Sequence, residues 1–245
     1  MVETQDLLYK HVKNRLVASL REGRWKPGEM LPSESNLAEL YDVGISTIRA
    51  AVGELAQAGL VVRRQGKGTF VTVHGDERSV YRFFNVVRDG GTKELPVSEL
   101  ISLSKGAAGD EVADLLELPR SRGASEVFTI RNLLRIGNTP VVVSDITVPA
   151  YVFKGLTAKM IREHGKTLYA LFQQRFGVTI VRIKEELKAM PCDAVARQFF
   201  GLKARDPILA LRRTAYTFGG VPVEVRHSRI DTRSTHYQFE QGDNV

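Results

Sequence analysis

Apolar residues fall at every fourth position near the start of the chain, at Leu8, Val12, Leu16 and Leu20, with Lys10, Lys13, Asn14 and Arg21 set between them. At about 100° per residue this spacing lines one face of a helix and predicts an amphipathic first helix. The pattern stops at Glu22-Gly23-Arg24-Trp25-Lys26-Pro27-Gly28, where glycine permits a left-handed cap and proline forbids another helical turn. Leu31-Pro32-Ser33-Glu34-Ser35 follows. Ser33 has the hydroxyl to cap a short second helix whose buried side is Leu37, Leu40 and Tyr41. Asp42-Val43-Gly44 makes a turn. Ile45, Ile48, Val52 and Leu55 then predict a third helix over 45–58, with Ser46, Thr47, Arg49, Ala50 and Gly53 on its other sides. Val61-Val62-Arg63-Arg64 and Thr69-Phe70-Val71-Thr72-Val73 read as two strands joined by the glycine turn Gln65-Gly66-Lys67-Gly68.

The outer side of the third helix is small and carries one cation, Arg49. Such a face fits a DNA major groove about 12 Å wide, where bulky side chains would hold the helix off the base edges and arginine can pair with guanine. The same pattern also suits an ordinary helical hairpin with a solvated polar face. The following hairpin favours DNA, because its tip bears cations and no acid, and its glycines allow close approach to a phosphate. Residues 5–73 therefore read as a winged helix-turn-helix.

Polar residues 74–80 break the periodicity as a linker would. Beyond them a second domain over 81–240 carries β-rich runs at 127–130, 140–148, 178–183, 208–216 and 221–227, with helical spacing at 111–118, 168–176 and 193–200. Gly137-Asn138 and Gly219-Gly220 are hairpin turns. The class is α+β with a largely antiparallel sheet.

Length favours two domains, since 245 residues exceed what one small core organises. A net charge of +7 permits a polyanionic partner without demanding one. Its distribution is more informative: between Gly44 and Val73, Arg49, Arg63, Arg64 and Lys67 face a single acid, Glu54. The lone cysteine, Cys192, excludes an internal disulfide and has no ligand cluster beside it, so neither a metal site nor a cofactor is expected. The first residues are acidic, without the apolar core of a secretory signal, and no run reaches a membrane span, so a soluble, cytoplasmic protein is expected.

Taken in order, Pro27-Gly28, Leu31-Pro32-Ser33-Glu34, Leu37-Ala38, Tyr41-Asp42-Val43, Thr47-Ile48-Arg49, Leu55, Gly59-Leu60 and Gly66-Lys67-Gly68-Thr69-Phe70-Val71 resemble the GntR family of bacterial transcription regulators. The resemblance implies that Arg49 and the start of the third helix, with Ser46 and Thr47, contact an operator. It also implies that Ser33 and Ser35 face the DNA backbone, and that the wing residues Arg63, Arg64, Gln65, Gly66 and Lys67 meet phosphates and the minor groove. One departure is plain: Gly44-Ile45 stands where family members commonly have Ser or Thr followed by Arg. This implies an altered operator preference or more reliance on Arg49 and the wing.

Gly137-Asn138-Thr139-Pro140, Val148-Pro149, Phe200-Gly201-Leu202, Asp206-Pro207 and Gly220-Val221-Pro222-Val223-Glu224 resemble the effector-sensing UTRA domain of the HutC branch, related in fold to chorismate lyase. That implies a small-molecule effector held against the sheet, with Glu224 and arginines before the Gly-Asn turn lining the pocket. Here those arginines are Arg131 and Arg135, although Asn132 and Leu134 stand where some relatives have arginine. Arg226 shares a strand face with Glu224 by two-residue periodicity. The pair reads equally as a surface ion pair. Arg88, Ser144 and Asp145 are further effector candidates by position.

These features imply a metabolite-responsive regulator, most simply a repressor, acting as a homodimer on double-stranded DNA with a palindromic operator. An enzyme is disfavoured. Glu224 near His227 is a conceivable acid/base pair, but the five histidines form no nucleophile or metal pattern. A nonspecific DNA-packaging protein would leave the second domain unexplained.

Overall fold

Ser33 caps a helix because its hydroxyl oxygen accepts the backbone N–H of Asn36 at 3.2 Å, and the chain leaves that helix through Asp42 in the left-handed region, φ 53°. In the computed structural model the described residues are 2–73, 83–91, 94–119, 125–165 and 167–239, with side chains described from Leu8 onward. They form two units, Met1–Val73 and His74–Val245. The expected linker 74–80 and the outer ends of the expected second domain, 81–82 and 240, lie outside the described residues.

The first unit has three helices, α1 (Val2–Arg21), α2 (Glu34–Tyr41) and α3 (Ile45–Gln57), and a hairpin of β1 (Val61–Arg64) and β2 (Gly68–Val71). Val12, Leu16 and Leu20 of α1 are buried with Ile48, Val52 and Leu55 of α3, and Lys13 donates to Glu54 at 2.6 Å between the two helices. Three of the expected core positions face solvent, Leu8 of α1 among them at 41% exposure. Leu40 and Ile45 are each 44% exposed, and Ala38 and Thr47 are buried instead. The buried stripe of α3 is Thr47, Ile48, Ala51, Val52 and Leu55. At about 100° per residue these five span a single sector; Ile45, the first residue of the helix, falls at its edge beside Val52, and Ser46 and Arg49 lie beyond it on the exposed side.

The second unit is built on a six-stranded, wholly antiparallel sheet in the order β4-β5-β6-β9-β8-β7. Its strands are β4 (Val97–Ala107), β5 (Glu126–Ile136), β6 (Thr139–Pro149), β7 (Arg182–Pro191), β8 (Pro207–Tyr216) and β9 (Pro222–Ile230). A short ribbon pairs β3 (Val86–Arg88) with β10 (Thr235–Tyr237). The helices are α4 (Asp110–Leu115), α5 (Ala158–His164), α6 (Leu168–Phe176) and α7 (Ala194–Phe200).

Strand alternation divides the sheet into two faces. One buries Ile130, Ile146 and Val148 with Phe153 and with Tyr169 and Phe172 of α6. The other packs Leu133, Val143 and Ile208 against Ala196 and Phe200 of α7, and Val127 and Val225 against Leu116 and Leu118 beside α4.

The expected strand over 178–183 is displaced. Val178 and Ile180 are buried in the core ahead of the strand, which begins at Arg182, with the Val181 N–H donating to the Tyr216 carbonyl at 2.9 Å. β4 and β7, the two outer strands, escape a reading by β propensity because each has at most one partner and little buried area. Polar and charged residues are what an edge strand carries.

Candidate nucleic-acid and effector sites

Gly44 caps α3 without a side-chain hydrogen bond, so the first turn opens on bare backbone N–H groups. The exposed face that follows carries Ile45, Ser46, Arg49 and Ala50, and Arg49 has a side chain 65% exposed. Thr47 corrects the sequence reading. At 5% exposure it lies within the buried stripe beside Ile48, turned from the exposed face that carries Ser46 and Arg49. Ser33 and Ser35 are exposed at the start of α2, with Ser33 already engaged as the cap.

The wing turn passes through Gly66 at φ 70°, a conformation that favours glycine, and a Cβ added there would meet open space. Arg63, Arg64, Gln65 and Lys67 are all exposed around it. Arg64 stacks 4.8 Å from the ring centre of Phe70, whereas Arg63 turns inward toward Arg49 and Glu34. These residues rim a groove between the start of α2 and the wing, lined also by Met30, Pro32 and Ser33. Cations with glycine beside a slim helix face form a surface able to bind phosphates and read base edges.

In the second unit a pocket of about 100 Å³, partly open to solvent, lies over the first sheet face. Phe83, Phe84, Leu134 and Leu168 give it apolar walls; Ser98, Asn132, Arg213 and Arg226 give it polar ones. A smaller recess shares Arg213 and Arg226 and adds Ser144 and Ser228, whose hydroxyls are 2.7 Å apart. Arg213 and Arg226 are register partners on β8 and β9, so two guanidinium groups converge on one wall.

Carboxylates behind that wall hold both arginines. Arg226 donates through Nε and Nη2 to the two oxygens of Glu224, at 2.9 and 3.1 Å, and the Tyr169 hydroxyl donates to Glu224 Oε1 at 3.1 Å. Glu224 is 0% exposed, so it supports the pocket from within and does not line it. Arg213 donates to Glu185 Oε1 at 2.7 Å and to the Phe83 carbonyl at 2.6 Å, and Tyr237 also bonds Glu185. Burial and the Glu224 charge push the Tyr169 hydroxyl up to about 12, which keeps it a proton donor. Burial opposes the charge on Arg213, but Tyr169 and Glu185 facing it more than offset this and raise its pKa.

Three expected effector residues are placed elsewhere. Arg131 and Asp145 are one residue out of phase with Asn132 and Ser144, so their side chains emerge on the opposite face. There Arg131 Nε donates to Asp145 Oδ1 at 2.6 Å, and Arg229 to Asp145 Oδ2 at 3.0 Å. Arg88 donates to the Ile136 carbonyl at the end of β5, a structural tie at the β5–β6 turn. The pairing of Glu224 with His227 fails for the same parity reason: three positions apart on β9, they face opposite sides of the sheet. Among the described residues no group of three or more His, Cys, Asp or Glu could hold a metal ion.

Family models match both units. The model for bacterial regulatory proteins of the gntR family matches residues 8–71, and that for the UTRA domain matches residues 93–236. The chain belongs to the GntR family. Its N-terminal unit is the DNA-binding domain and its C-terminal unit the ligand-sensing domain of a transcription regulator, and it is not an enzyme. An HTH-type transcriptional regulator of Mycobacterium tuberculosis is 30% identical over 228 residues, covering 91% of this chain and 81% of its own length. The HTH-type transcriptional repressor NagR of Bacillus subtilis is 24% identical over 237 residues, covering 95% and 93%. Among solved structures, the ligand-binding domain of a regulator assigned to the GntR family in Bordetella bronchiseptica is 31% identical, with a TM-score of 0.60, covering 66% of this chain and 99% of that one.

Arg213 and Tyr169 are pocket residues of this GntR-family chain that sequence reasoning passed over. The signal for Arg213 lay in the alternation Leu209, Leu211, Arg213, Ala215, which places an arginine on a strand face otherwise apolar. Tyr169 carried no such signal, because its role depends on where α6 crosses the sheet.

Proposed function

We propose that this regulator is a cytoplasmic, homodimeric repressor of the HutC branch, and that a small anionic metabolite in the sheet pocket sets its affinity for a palindromic operator. The observation that carries the effector class is the register pair Arg213 and Arg226, two held guanidinium groups on one pocket wall. Two guanidinium groups on one wall suit a phosphate or carboxylate. The hydroxyls of Ser98, Ser144 and Ser228 and the Asn132 amide suit a polar skeleton, and Phe83, Phe84 and Leu134 suit its carbon faces. The name of the NagR relative supports repression.

An anion at Arg213 competes with the Phe83 carbonyl for the same guanidinium. Phe83 directly follows residues 74–82, which connect the units in sequence, so its release transmits occupancy toward the DNA-binding domain. Such coupling requires the effector to bind the DNA-competent and DNA-incompetent arrangements with different affinities. Dimerisation would place two recognition helices about one helical turn apart, roughly 34–36 Å. The outer strand β7, at one end of the sheet with Leu187 and Met190 exposed on its two faces, supports a dimer by offering a strand edge for a second copy to cover.

The test is a thermal-shift screen of the full-length protein against sugar phosphates, amino-acid breakdown products and fatty acids, repeated with Arg213→Met. The proposal expects anionic hits that change operator affinity in the wild type and lose their effect in the variant. Hits confined to neutral or cationic compounds, or an unaltered response of Arg213→Met, would place the effector elsewhere.

A further inference from the structure

The recognition-helix arginine and a wing arginine meet over one carboxylate. Arg49 Nε donates to Glu34 Oε2 at 2.9 Å, Arg63 Nη2 donates to Glu34 Oε1 at 3.3 Å, and Arg63 Nη2 also reaches the Arg49 carbonyl at 3.5 Å. Glu34 is the first residue of α2 and lies in the groove whose rim is Arg63, Arg64, Gln65, Gly66 and Lys67. An acid in this place repels the phosphates that the surrounding cations attract, so it weakens sequence-independent binding. A half-exposed ion pair adds little to folding stability either.

Its geometry has a different consequence. Arg49 gives Glu34 only its Nε, and among the described residues no hydrogen bond occupies its two terminal amino groups. A free arginine loses much rotamer entropy when it docks on a base, and a side chain already held by one bond loses less. The Nη fork is the part that pairs with guanine O6 and N7. Arg63, drawn to the same carboxylate, is held away from the free wing surface.

We propose that Glu34 is a positioning residue for operator recognition: it orients Arg49 toward a base edge and restrains Arg63 from phosphates, exchanging nonspecific affinity for discrimination. This rests on the DNA-binding role of the first unit and goes beyond it by assigning the residue that sets the ratio.

The experiment uses the full chain, a duplex selected from a random pool by the wild type, and a scrambled duplex of equal length, with affinities measured across salt concentrations. Glu34→Gln removes the charge. It should raise affinity for the scrambled duplex severalfold and lower the selected-to-scrambled ratio about tenfold, part of what one bidentate base contact provides. An unchanged ratio, or parallel loss on both duplexes, overturns the proposal. Glu34→Asp keeps the charge and shortens the reach. It should leave scrambled binding near wild type and still lower the ratio, and this arm decides if the glutamine variant melts early; a wild-type ratio in the aspartate variant overturns the positioning role. In an Arg49→Ala background, Glu34→Gln should no longer change the ratio. A persisting change would show that Glu34 does not act through Arg49. Failure of the wild type to select any shared sequence would contradict operator recognition itself, which is a separate outcome.

Discussion

Replacing Glu224 with alanine strips the counter-charge from Arg226 inside the sheet domain. Their side chains are 0% and 14% exposed, so water replaces little of what is lost. Breaking a buried pair by removing one partner costs about 3–5 kcal/mol, because the remaining charge is left uncompensated. The Tyr169 hydroxyl loses its acceptor in the same step. A domain of this size shifts its melting temperature by about 2–4 °C per kcal/mol, so the sheet domain should melt roughly 6–20 °C lower. Far-UV circular dichroism during urea or thermal unfolding follows the sheet, while fluorescence of Trp25, the single tryptophan, reports on the first unit and should move less. The double variant Glu224→Leu with Arg226→Met removes both charges and should recover most of the loss, since an apolar pair of similar volume avoids the desolvation penalty. A loss below about 1 kcal/mol for Glu224→Ala, or a double variant no more stable than the single, would refute the reading of this pair as a buried support.

Other outcomes follow from the same geometry. Arg49→Ala should weaken binding to the selected operator by roughly 1–3 kcal/mol and blur sequence preference at one position, and an equal loss on scrambled DNA would remove base reading from Arg49. Lys67→Ala should weaken binding across sequences and reduce the slope of log affinity against log salt by about one unit; an unaltered slope would take Lys67 out of the phosphate contacts. Burial alone would raise the Asp145 pKa, but hydrogen bonds from Arg131 and Arg229 outweigh it and lower it. A depressed folded-state value means stability present above the unfolded pKa of about 3.9 and lost as pH falls through the folded value. Wild type should therefore lose more stability than Asp145→Asn between neutral pH and about pH 3, and parallel pH curves would remove Asp145 as a source.

The first unit was legible almost residue by residue, because a helix face and a glycine turn are local patterns. The exceptions are Leu8, Leu40 and Ile45: Leu40 and Ile45 sit just outside the buried sectors of α2 and α3, which take in the smaller Ala38 and Thr47 instead. The central strands β5, β6, β8 and β9 were legible through their β-branched runs, and the edges β4 and β7 were not, because an edge strand is polar. Site residues on strands depended on parity. Ser144 and Arg226 lie on the face that carries the pocket and its recess, whereas Arg131 and Asp145 are one residue out of phase and lie on the other face. The ion pairs that fix Arg213 and Arg226 join residues distant in sequence, such as Arg213 with Glu185 and Phe83, and only the sheet order brings them together.

Selection of bound duplexes from a randomised DNA pool by the full-length protein, with Arg49→Ala run in parallel, tests the central claim most directly. A dimer reading bases through Arg49 should recover a palindrome with half-sites about one helical turn apart in the wild type and a motif degraded at a defined position in the variant. Recovery of no shared sequence by the wild type, or of the same undiminished motif by both proteins, would contradict it.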